Sequence, residues 1–195
     1  MNERRSGEPF NEGLEWARDG QYYHYLTQWM HALDCASMVI GDPSVNKWAV
    51  ELAKTAHSKF TYQPRHGEEK RIYWKMSIDL TYPHVSSMGH HNPLDGLITY
   101  SELQTTAKKF SEQSTVPNLD GEIAEMAVIC EGKNWTTDAP LGIGGLLIAA
   151  YNMAQLIVAD RFIRPDLLWT VLNNAVTGLD YFEKKSPLRS LHATG

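Results

Sequence analysis

Six stretches of this chain of 195 residues carry apolar side chains at steps of three and four, and they alternate in character along the sequence. That pattern restricts the fold more than any single motif does, because such spacing places the apolar residues on one face of a helix. The first stretch, about 19–38, repeats Leu26, Trp29, Leu33 and Ala36, and the second, about 44–60, sets Trp48, Leu52, Ala56 and Phe60 against Lys47, Glu51 and Lys54. The third, about 94–109, shows Leu94, Leu97, Ile98, Leu103 and Ala107; the fourth, about 120–132, shows Ile123, Ala124, Met126 and Ala127. The fifth is the apolar run from Leu141 to Ala159, and the sixth repeats Leu168, Leu172, Ala175, Leu179 and Phe182. Even-numbered stretches are one-sided, whereas odd-numbered ones are more apolar or carry polar groups on a mainly apolar surface. The expectation is an all-α fold of three helical hairpins (19–60, 94–132 and 140–184) in one domain over 1–195, with odd helices inside and even helices facing water.

Local punctuation agrees. Gly41, Asp42 and Pro43 stop the first helix and open the second, Pro93, Pro140 and Pro165 suit first-turn positions, and Asp120 reads as an N-cap. Between the second and third helices "RIYWKMSIDL" alternates: Ile72, Trp74, Met76 and Ile78 fall on one face, and Tyr73, Lys75, Ser77 and Asp79 on the other. This predicts a short strand or hairpin inserted near 71–80. "NPLDGLITY" and "APLGIGGLL" share a Pro-Leu step at the head of an odd helix, a faint sign of a repeated unit.

Composition narrows the partners. With 43% hydrophobic residues the chain can build a core, and its formal charge of -5 is spread without a basic stripe, so neither nucleic acid nor an anionic membrane is expected. Cys35 and Cys130 lie outside any Cys-x-x-Cys spacing, which predicts two reduced, buried thiols in a cytoplasmic protein and no disulfide framework. The first residues show no apolar run of the secretory kind. The stretch Leu141–Ala159 has about the length of a membrane span but carries Tyr151, Asn152 and Gln155, and it reads as a helix buried in a core and packed closely through Gly142, Gly144 and Gly145.

Two regions could do chemistry. On the first helix His24, Thr27, Gln28, His31 and Asp34 form one polar stripe among Tyr22, Tyr23 and Tyr25; it would line a cavity with imidazoles, a carboxylate and aromatic faces, or else be an ordinary solvated face. In "GHHNPLDG", His90, His91 and Asn92 precede the third helix and Asp95 lies in its first turn. The helix dipole favours Asp95 as a carboxylate and Asn92 as a cap, while it disfavours a cation, keeping His90 or His91 neutral and able to act as a base. Spacing of His24 and His31 offers no His-Glu-x-x-His, Gly-x-Ser-x-Gly is missing, and "GIGG" follows no strand, so no metal, serine nucleophile, phosphate loop or cofactor is expected.

The segments "RDGQYYHYLTQWMHALD", "RIYWKMSIDL" and "MGHHNPLDGLITY" resemble proteins of the six-hairpin glycosidase and N-acylglucosamine 2-epimerase superfamily, over about 18–181. The resemblance implies an α/α toroid around a sugar-binding centre, of which three hairpins make about half, completed in a homodimer or in a longer chain. It implies a small-molecule sugar as partner, and the two regions above then supply His24, His90, His91 and Asp95 as the expected catalytic residues and Tyr22, Gln28, Trp29, His31 and Trp74 as those expected to bind substrate. An epimerase would use a neutral histidine as base; a glycosidase would need two carboxylates from Asp34, Asp95 and Glu102. The alternative is a noncatalytic helical scaffold that self-associates.

Overall fold

The computed structural model describes residues 2–5, 7–85, 91–112, 116–159 and 164–185. The protein is mostly helical, and its chain divides into two compact units, Met1–Glu131 and Gly132–Gly195.

The first unit runs α1 (Glu12–Ala17), β1 (Gln21–Tyr22), α2 (Tyr23–Ile40), α3 (Pro43–Phe60), β2 (Thr61–Tyr62), β3 (Arg71–Ile72), β4 (Lys75–Met76), β5 (Pro83–Val85), α4 (Asn92–Lys109) and α5 (Asp120–Cys130). α2 and α3 form the first hairpin and α4 and α5 the second, with α4 packed on both α2 and α3. The first hairpin turns where the punctuation predicts. Gly41 takes a left-handed φ of 71° and donates its N–H to the Ser37 carbonyl, and the Asp42 side chain accepts from the Ser44 N–H at 2.9 Å ahead of Pro43. α3 reaches its neighbours closely because Ala49, Ala53 and Ala56 lie on its buried face. α4 is the central helix: Leu94, Leu97, Tyr100 and Leu103 are enclosed, and each such leucine contributes about 1.5–3 kcal/mol of apolar burial. α5 is tied to α3 by Lys54–Glu122 at 2.7 Å and His57–Glu125 at 2.9 Å.

Several faces and boundaries differ from the sequence reading. α2 buries Tyr23, Thr27, Met30, Asp34 and Ser37, while Trp29, predicted to face the core, is 64% exposed, as are Val39 and Ile40 at the end of the helix. Two of the polar groups on this buried face meet their hydrogen bonds locally. Thr27 donates to the His24 carbonyl at 2.8 Å, and Ser37 donates to the Asp34 carbonyl at 2.7 Å. On α3 the buried stripe is likewise shifted, leaving Trp48 outside. The helix before the first strand, α1, carries no long periodic stripe and was not anticipated. Asp120 lies in the first turn of α5 after Leu119 at the cap, and Asn92 lies inside α4 with His91 at the cap.

The segment 71–80 is not one strand. β3 pairs antiparallel with β2, whereas β4 is the middle strand of the sheet β1-β4-β5, with Tyr22 opposite Lys75. Lys75 and Ser77, on the polar side of the alternation, are buried as Ile72 and Met76 are.

The second unit contains one hairpin, α6 (Pro140–Val158) and α7 (Pro165–Lys185). The loop before α6 crosses α7 at Gly178, where a Cβ would stand 2.2 Å from the Thr137 carbonyl oxygen, so no larger residue fits. Gly142 also approaches Thr137, but Gly144 has open space around its Cα. α6 is long and apolar enough to cross a bilayer by length and composition. Burial reaches one face only: Ile143, Leu146, Ala150 and Met153 are enclosed, while Leu141, Ile148 and Tyr151 are exposed. The expected burial on all sides is not present.

Candidate functional site

Where α1, the three-stranded sheet and the start of α2 meet, five aromatic rings converge. Trp16 and Trp74 stand 6.1 Å apart edge to face, Trp74 and His24 6.2 Å, His24 and Tyr25 4.1 Å, and Tyr22 lies 5.9 Å from His24 and 5.5 Å from Tyr25. The local sequence accounts for this. Residues 21–25 pass from a strand into a helix, so successive aromatic side chains fan around one end of α2, and the β1–β4 pairing delivers Trp74 to them. Trp16 and Tyr25 are exposed, while Tyr22, His24 and Trp74 are partly covered. The Trp74 indole N–H is buried without a hydrogen-bond partner among the described residues. Partial burial lowers the pKa of the His24 imidazole, keeping it neutral at pH 7.

Behind this surface lies a buried charge cluster. Lys75, 1% exposed, points its Nζ at the carbonyls of Glu15 and Trp16, both at 3.2 Å, and at that of Arg18, all at the C-terminal end of α1, and its ammonium lies 5.0 Å from the Tyr22 ring centre. Glu15, wholly buried, accepts from Nδ1 of the equally buried His84 and faces Arg18 Nε at 3.3 Å. Arg18 continues outward to Glu8 at 2.5 Å and donates to the Glu3 carbonyl at 2.8 Å. Among the described residues His84 Nε2 has no hydrogen-bond partner. Buried charges persist only when paired, so this cluster locks α1 to the sheet and fixes the aromatic surface in front of it.

Of the residues singled out by sequence, Tyr22, His24 and Trp74 come together. Gln28 lies one turn beyond His24 on α2 and is exposed, as is Trp29. His31 is farther along α2, with Nδ1 at 2.9 Å from Glu102 of α4. Asp34 is not on a cavity. It accepts from Asn46 Nδ2 at 2.8 Å and Thr106 Oγ1 at 3.0 Å, joining α2 to α3 and α4. His90 lies outside the described residues. His91 caps α4, and Asp95 follows in the first turn, where burial outweighs the dipole and pushes its carboxyl up to about 7. Tyr23, next to His24, feels the Asp95 charge and bonds through its hydroxyl to Tyr100 at 2.9 Å.

Glu15, Arg18, Lys75 and His84 were missed as functional candidates. Their only local signal is a charged or imidazole residue set among aromatics in "LEWAR", "YWKM" and "TYPHV". Among the described residues no three His, Cys, Asp or Glu side chains are grouped to hold a metal ion. No family model, curated protein or solved structure matches the chain.

Proposed function

We propose that this chain is a carbohydrate-active protein, one half of an α/α toroid of helical hairpins, with its sugar site on the aromatic surface at the start of α2. The convergence of Trp16, Tyr22, His24, Tyr25 and Trp74 carries this reading. A sugar ring lays its apolar C–H face on aromatic rings and leaves its hydroxyls to polar groups, here His24 and Gln28.

The epimerase form is better supported than the glycosidase form. A glycosidase needs two available carboxylates, yet Asp34 is committed to Asn46 and Thr106, and Glu102 to His31. In the epimerase form neutral His24 removes the proton next to the sugar carbonyl, and a second acid/base group returns one on the other face. The test is a thermal-shift screen against aldoses, ketoses, N-acetylated sugars and disaccharides. A sugar at about a hundred times its dissociation constant stabilises by ~2.7 kcal/mol, and that shift should vanish in Trp74→Ala. An epimerase would also exchange the carbon-bound proton with solvent deuterium. A folded protein that responds to no sugar sinks the proposal.

The exposed apolar side chains of Trp29, Val39 and Ile40 on α2 favour a second reading, a noncatalytic scaffold whose copies associate through them. Light scattering decides it: a strict monomer at all concentrations removes the homodimer.

A further inference from the structure

At the other end of α2 a thiol, an imidazole and a carboxylate stand in line. Cys35 Sγ is 3.6 Å from His31 Nε2, and His31 Nδ1 is 2.9 Å from Glu102 Oε2. Helix geometry makes half of this arrangement, since residues 31 and 35 are one turn apart on one face. The packing of α4 on α2 makes the other half by delivering Glu102. Cys35 is a free thiol, partly accessible, and His31 is exposed; Cys130, the second thiol, is buried. The neighbouring carboxylate, Asp34, is turned away into its bonds with Asn46 and Thr106. This end of α2 is distinct from the aromatic surface: eleven helical residues separate His24 from Cys35, roughly 16 Å along the axis.

We propose that Cys35 is a nucleophile that accepts acyl groups from activated esters or thioesters, with His31 as its general base and Glu102 as the residue that orients the imidazole. The thiol–imidazole–carboxylate order is that of acyl-transfer sites on unrelated folds. In the first step the Sγ proton passes to His31 Nε2 as sulfur bonds to the carbonyl carbon. The tetrahedral adduct then collapses, the bond from that carbon to the leaving oxygen or sulfur breaks, and the leaving group takes the proton back from Nε2. Cys35 is left as a thioester. Water or a second nucleophile attacks it, giving its proton through His31 to the departing Sγ, and the free thiol returns.

Electrostatics explain why a base is needed. Burial and the carboxylates of Asp34 and Glu102 hold the thiol above its ordinary pKa, so the resting sulfur is protonated. The bond from Glu102 holds His31 above its ordinary value, helped by the charges of Glu102 and Asp34. The rate of acylation should therefore rise as His31 loses its proton above about pH 6.5, well before the thiol itself titrates.

The test uses the full chain and p-nitrophenyl acetate. Wild type should release nitrophenolate in a burst and gain one acetyl group, mapped to Cys35 by peptide digestion. Cys35→Ser should lose that acetylation. His31→Gln should slow it by about a hundredfold at neutral pH and erase the inflection from the pH profile. Glu102→Gln, a positioning change, should move the inflection to lower pH and reduce the rate less. Far-UV circular dichroism verifies folding of each variant. A wild-type profile that follows only the titration of a simple thiol overturns the proposal even if a variant fails to fold. So does a rate equal to that of a free cysteine peptide, or one unchanged in His31→Gln.

Discussion

Asp95→Asn isolates the conflict between burial and helix dipole at the start of α4. Burial raises the Asp95 carboxyl from 3.8 to about 7. Between those values the folded chain keeps a proton that the unfolded chain has released, so this group's contribution to stability falls as pH rises through that window. At about 1.4 kcal/mol per pH unit, the full loss by about pH 8 is ~4 kcal/mol. The dipole of α4 favours the carboxylate by only ~0.3–1 kcal/mol, so desolvation wins and about 3 kcal/mol remains. Tyr23, the phenol coupled to Asp95, is held well above its ordinary pKa and stays neutral throughout. Asparagine keeps the shape and removes the charge. Urea denaturation followed by far-UV circular dichroism should find the variant and wild type within ~1 kcal/mol near pH 4. Near pH 8 the variant should be the more stable by about 3 kcal/mol, or on the order of 10 °C in melting temperature. A variant no more stable than wild type near pH 8, or a gap that widens toward acid, would refute the reasoning.

Three further outcomes are expected. Asp34→Ala strips Asn46 and Thr106 of a buried partner and should cost about 2–4 kcal/mol in urea titrations; an unchanged midpoint would mean that the three-helix junction is not held there. Gly96→Ala places a Cβ 2.3 Å from the Tyr23 hydroxyl and should cost about 1–3 kcal/mol. Adding Tyr23→Phe should recover part of that loss, whereas strictly additive effects would show that the two groups do not meet. Lys75→Met leaves the carbonyls of Glu15, Trp16 and Arg18 without their donor, at a cost of about 3–5 kcal/mol. Limited proteolysis should then cut first near α1, and an unaltered cleavage pattern would argue against the lock.

The candidate site was legible where its residues are neighbours in sequence. Tyr22 and His24 sit together in one short segment, and Trp74 announces itself by alternation with Ile72 and Met76. The charge cluster behind them was not legible, because Glu15, Lys75 and His84 come from α1, β4 and β5, and nothing local distinguishes a buried lysine from a solvated one. Cys35, His31 and Glu102 show both cases at once: the helical step is visible in sequence, but the third member depends on which helix α2 packs against.

By itself the sequence determined that the chain is helical, where most helices start and stop, and that neighbouring helices pair. Gly41, Asp42 and Pro43 make the first turn through local backbone preferences, and Pro140 and Pro165 open their helices for the same reason. Only tertiary structure decided which face of each helix is buried. α2 buries a mixed face of Tyr23, Thr27, Met30, Asp34 and Ser37, leaving Gln28 and His31 of the polar stripe and Trp29 of the apolar one exposed, and Asn46 and Thr106 arrive from α3 and α4 to satisfy Asp34. Periodicity reports that stripes exist; which residues are enclosed rests in part on partners distant in sequence that complete the hydrogen bonds a buried polar group requires.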